Sequence, residues 1–98
     1  MRDVKNHIAI LRIDFHIPSA QSLKDKRMVL KSLKDRIRNE FNVSVCELDG
    51  LDKWQVGTIG CAMLGNDTRY INQCLENIVS FAKRHNGLEI CEHQIEFI

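Results

Sequence analysis

Ala9, Leu11, Ile13, Phe15 and Ile17 fall at every second position between His7 and Ile17. A period of two puts them on one face of a strand. Pro18 ends the strand, because proline has no N–H to give to a ladder. The period then lengthens. Leu23, Leu30, Leu33, Ile37 and Phe41 share one face of a helix, with Val29 at its edge. Ser22 begins this helix, since Ser-x-x-Asp resembles a capping pair, and the helix stops near Asn42. Val43 to Leu48 reads as a short strand. Asp49-Gly50 is a turn signal, with a loop running to about Lys53. Trp54 to Leu64 reads as a longer strand, in which Gly57 and Gly60 mark bulges or close packing. Gly65 breaks it. Asn66 or Asp67 caps a second helix that reaches about His85 and turns Ile71, Cys74, Leu75, Ile78 and Ala82 inward, with Phe81 alongside. Asn86-Gly87 stops that helix. Leu88 to Ile98 is a final strand with Cys91, His93, Ile95 and Phe97 on one face.

The predicted order is β-α-β-β-α-β. That order is the ferredoxin-like α+β arrangement, a four-stranded antiparallel sheet with both helices on one face and strands one and three central. A chain of 98 residues makes one domain, residues 1–98, long enough to bury a core without staples. The uncovered sheet face then carries Ile8, Ile10, Arg12, Asp14 and His16, with Trp54 and Val56 beside them. This mixture is more apolar than a solvated face needs, and it invites a homodimer or another partner.

Charge sharpens the picture. Formal net charge is only +1, yet seven of the fourteen Lys and Arg lie between Ser22 and Arg38. Lys24, Arg27, Lys31, Lys34 and Arg38 are spaced 3, 4, 3, 4 and form one stripe beside the leucine face. At 1.5 Å per residue the stripe is about 21 Å long. Only Asp35 among the nearby acids falls close to it, and Lys26 and Arg36 fall on the other flank. A row of cations suits a row of phosphates, whose binding weakens steeply with salt. The same row also serves as an ordinary solvated face, since Lys and Arg are good helix formers with long stems.

The segments HIPSAQSLKDKRMVLKSLKDRIRNEFNVSV, DKWQVGTIG and the GND before the second helix carry a likeness to a known group. In them the chain resembles the YlxP-like family of small bacterial proteins of unknown function. The resemblance covers nearly the whole chain. It implies a ferredoxin-like fold and, because the family's genes often lie beside those for translation and ribosome-maturation factors, a link to RNA or the ribosome. It brings no catalytic residues, and the four cysteines lie outside the family pattern.

Other chemistries find little support. Cys46, Cys61, Cys74 and Cys91 show no C-x-x-C spacing and read as free thiols acting as small buried hydrophobes. Cys91 and His93 sit two apart on a strand, but two ligands do not hold zinc. Asp14 and His16 could orient an imidazole, without a nucleophile to complete the set. The first strand has no exposed aromatics for base stacking, and the glycine-flanked phosphate loop of acylphosphatases is missing after it. No apolar run spans a membrane and no signal peptide is visible. The expectation is therefore a cytoplasmic, non-enzymatic RNA- or ribosome-associated domain without cofactor or metal, binding through Lys24, Arg27, Lys31, Lys34 and Arg38. The alternative is an oligomeric protein–protein module joined through the open sheet face. A small-molecule-binding dimer would need a lined pocket, which the pattern does not reveal.

Overall fold

The computed structural model describes residues 4–98. In chain order it contains β1 (His7–His16), α1 (Leu23–Glu40), β2 (Ser44–Asp49), β3 (Val56–Gly65), α2 (Thr68–Lys83) and β4 (Glu89–Phe97). The strands form one antiparallel sheet in the order β2-β3-β1-β4, so the two longest strands are central. This is the ferredoxin-like α+β fold expected from the pattern.

Alternation on β1 has the expected result: Ala9, Leu11, Ile13 and Phe15 are buried under the helices, and Ile17 continues the row. Opposite them β3 contributes Ile59, Cys61 and Met63. The helices close the layer. α1 lays Leu30, Leu33 and Ile37 on the sheet, and α2 lays Ile71, Leu75, Ile78, Val79 and Ala82. Each fully buried aliphatic side chain is worth about 1.5–3 kcal/mol, so these two stripes account for the docking of both helices. Ser22 caps α1 by accepting from the Asp25 N–H, while Asp25 accepts from the Gln21 N–H. Asp67 caps α2 by accepting from the Arg69 N–H. Phe41 and Phe81 meet edge to face, 5.7 Å between centroids, and lock the two helix ends together.

Several expectations need correction. Trp54 is not in a strand; it lies exposed in the loop before β3, held off the core. Leu23 and Cys74 are only half-buried, and Val79 takes a core place instead. Cys61 alone of the four free thiols is buried; Cys46 and Cys91 are exposed. In β4 the pairing jumps from Asp14 opposite Glu92 to Phe15 opposite Ile90. Cys91 is therefore the extra residue of a bulge, which breaks the period of two and turns it away from the face of His93, Ile95 and Phe97. No described helix is long and apolar enough to cross a membrane.

Candidate nucleic-acid interface

The stripe begins where α1 is capped and ends over the edge of the sheet. Lys24, Arg27, Lys31, Lys34 and Arg38 all lie on α1, on the flank beside β2. At the far end Arg38 Nη2 donates to the Val45 carbonyl of β2 at 3.1 Å, which fixes that flank relative to the sheet. Asp35 sits inside the row. Lys31 Nζ reaches its Oδ2 at 2.8 Å, and Arg38 Nη1 approaches its Oδ1 at 3.4 Å. The hydrogen bond from Lys31 is the main cause holding the Asp35 carboxyl below its ordinary range, aided by the charges of Lys31, Arg38 and Lys34. One ionised carboxylate thus serves two cations. Lys24, Arg27 and Lys34 have no carboxylate partner among the described residues. Five bases and one acid leave the ridge at a net +4.

The two basic residues expected on the other flank do different things. Arg36 lies over the Phe81 ring, 5.1 Å from its centroid, with Nη1 3.4 Å from His85 Nδ1. Lys26 is not a surface cation at all. It is 1 % exposed, donates to the Gly50 carbonyl, and lies 5.7 Å from the centroid of Phe15. Its Nζ is 2.8 Å from Glu47 Oε2, yet the angles there do not make a hydrogen bond and that oxygen has no other donor among the described residues. The contact is an ion pair held by charge, while the hydrogen bond goes to Gly50. Lys26 therefore clips α1 to the β2–β3 turn and is withdrawn from any ligand.

The family model described as "Protein of unknown function (DUF503)" matches residues 8–95, nearly the whole chain. The chain belongs to this family. A bacterial relative, "Uncharacterized protein YlxP" of Bacillus subtilis (strain 168), is 37% identical over 65 residues, which are 66% of this chain and 71% of that protein. Among solved structures, two designed proteins are similar. "De novo designed protein Foldit4" has a TM-score of 0.54 at 17% identity, over 96% of this chain and 97% of that one. "De novo designed protein Ferredog-Diesel" has a TM-score of 0.52 at 12% identity, over 98% and 90%. At such identities the likeness speaks to the fold alone.

The open sheet face divides along the strands. At one end are Ile8, Ile10, Ala62 and Leu64, with Leu48 leaning over Gly60. Ile8 is 43% exposed and Leu64 67%. At the other end polar groups pair across strands: Arg12 with Glu96 at 2.9 Å, Thr58 Oγ1 donating to Asp14 at 2.6 Å, and His16 3.5 Å from Glu89. Asp14 and His16 thus spend themselves on separate neighbours and do not form a pair. A cleft of about 380 Å³ lies beside the 50–55 loop and is lined by Asp14, Lys53, Thr58 and Cys91 among others. No group of three or more metal-ligating side chains gathers among the described residues.

Proposed function

We propose that this protein is a non-enzymatic RNA- or ribosome-associated binding domain of the cytoplasm, with the basic ridge of α1 as its contact face. One observation carries the reading: Lys24, Arg27 and Lys34 stand unpaired among the described residues on a helix face that has a single acid for five bases. A rigid row of this length tracks a phosphate backbone, and each phosphate it neutralises releases counterions. Arg27 can hold a phosphate with two parallel N–H donors, while Lys24 and Lys34 act as point charges. The gene neighbourhood implied by the family likeness favours RNA over other polyanions.

The test is binding to duplex and single-stranded RNA across a salt series. On a duplex the log–log salt slope is expected between about −2.7, for the three unpaired cations, and about −4.5, for all five. Reversing Lys24, Arg27 and Lys34 to Glu should abolish most of the binding and leave the fold intact, because Lys24 and Arg27 are exposed and Lys34 is only partly buried. Equal binding by that variant ends the proposal. Co-sedimentation with ribosomal subunits at low and high salt separates a ribosomal partner from free RNA.

A second reading rests on a different observation, the apolar end of the open sheet. Ile8, Leu48 and Leu64 are exposed large hydrophobics on one continuous face. This favours an oligomeric protein–protein module, with a second copy as the simplest partner.

A further inference from the structure

The sheet ends in two unlike edges. β2 is six residues long, is bulged between Glu47 and Asp49, and has its Val45 carbonyl taken by Arg38. β4 runs for nine residues and contains neither Pro nor Lys. Among the described residues its backbone bonds only to β1, so its outer N–H and C=O groups face outward unpaired. An edge of this kind is a template for another strand unless charge or cover forbids it.

The side chains at this edge select what can pair there. On the open face lie Glu92 and Glu96, with Glu89 beyond the bulge and Asp14 directly across from Glu92. Arg12 balances Glu96 at 2.9 Å. Asp14, Glu89, Glu92 and Glu96 against Arg12 give a formal −3 on this pair of strands. Asp14 and Glu92 face each other across the strands as like charges, an unfavourable pairing that the Thr58 hydroxyl on Asp14 offsets only in part. On the helix side the same strand presents Ile90, His93, Ile95 and Phe97; His93 Nε2 lies 3.6 Å from Glu76 of α2, and Phe97 is 41% exposed. The edge is acidic above and mostly apolar below. A second copy of β4 would bring glutamates against glutamates and is disfavoured by that charge.

We infer that the β4 edge takes up an extended segment of another protein as a fifth strand, one that alternates basic and apolar residues. Backbone hydrogen bonds to the free edge supply affinity, and the alternating side chains supply selection. Basic residues meet Glu92 and Glu96 and relieve the repulsion with Asp14. The intervening apolar residues cover Phe97 and Ile95. The site is at the opposite side of the sheet from the α1 ridge, so it does not depend on what that ridge binds.

The probe is a ten-residue peptide of alternating Lys and Val. Calorimetry measures its binding to the full chain, and amide hydrogen exchange reads its position. Two control peptides accompany it: alternating Glu and Val, and the Lys–Val peptide N-methylated throughout, which keeps the charges and removes the backbone donors. The Lys–Val peptide should bind, slow exchange at every second amide of β4, and weaken about fivefold or more against the exposed double variant Glu92→Gln and Glu96→Gln. Neither control should bind comparably. Equal binding by the N-methylated peptide overturns the inference, since charge alone would then suffice. So does binding that leaves β4 exchange unchanged. So does a doubled mass with β4 amides already protected before any peptide is added, which would assign the edge to a second copy.

Discussion

Lys26 falls on the seam of α1. Its spacing to Leu30, Leu33 and Ile37 is 4, 7 and 11, the positions that face the sheet. Its charge disguised it as a surface residue, although periodicity alone would have placed it inside. The fold answers that charge with Glu47, the Gly50 carbonyl and the Phe15 ring. Removing one member of a buried ion pair leaves the other uncompensated. Lys26→Met should therefore cost about 3 kcal/mol in chemical denaturation, and adding Glu47→Leu should recover a large part of it. The thiols separate in the same way by local surroundings. Burial, with a smaller contribution from Cys46, pushes Cys61 up to about 12. A thiol reagent at pH 8 should modify exposed Cys46 and Cys91 in the folded protein and reach Cys61 only on unfolding.

The contact between the end of α2 and α1 depends on pH. His85 follows α2, is buried, and sits against Arg36 of α1. An arginine N–H can only donate, so Nδ1 accepts and the ring proton lies on Nε2. Burial first, then the Arg36 charge, hold the His85 pKa below its ordinary value, against a hydrogen bond to the Val29 backbone. The folded state therefore binds a proton less readily than the unfolded chain. Stability is full above the ordinary histidine pKa, near pH 6.5, and declines as pH falls through that value toward the lowered one. Urea titrations between pH 7.5 and 5 should show this decline, and His85→Gln should flatten it. At this scale the sequence was readable where one period ran unbroken. The helices, the core face of β1 and the strand order all followed from it. The β4 bulge did not, because nothing in EICEHQIEF marks which residue is extra. The place of Trp54 was also missed: its β propensity suggested a strand, but β3 starts only at Val56, once the 50–55 loop has turned back. Of the candidate stripe, the spacing was legible, and so was its nearness to Asp35. That Asp35 takes both Lys31 and Arg38 depends on side-chain reach, which spacing does not give.

Across the whole molecule, charge and apolar surface are sorted to separate sides: a +4 ridge along α1, an apolar end of the open sheet, and an acidic margin at β4. On the second reading, sedimentation equilibrium should give twice the chain mass for the native protein and the single mass for the exposed-site variant Ile8→Lys, Leu64→Lys, with unchanged circular dichroism. A single mass for both would discard the dimer. The sorting also has a directional consequence. β2 is short, bulged and has its Val45 carbonyl taken by Arg38, whereas β4 is long and bonds to β1 alone among the described residues, so the two margins of the sheet are unequal. On the inference drawn for β4, a strand docked there meets no equivalent seat on the far margin, which disfavours growth into ribbon-like polymers.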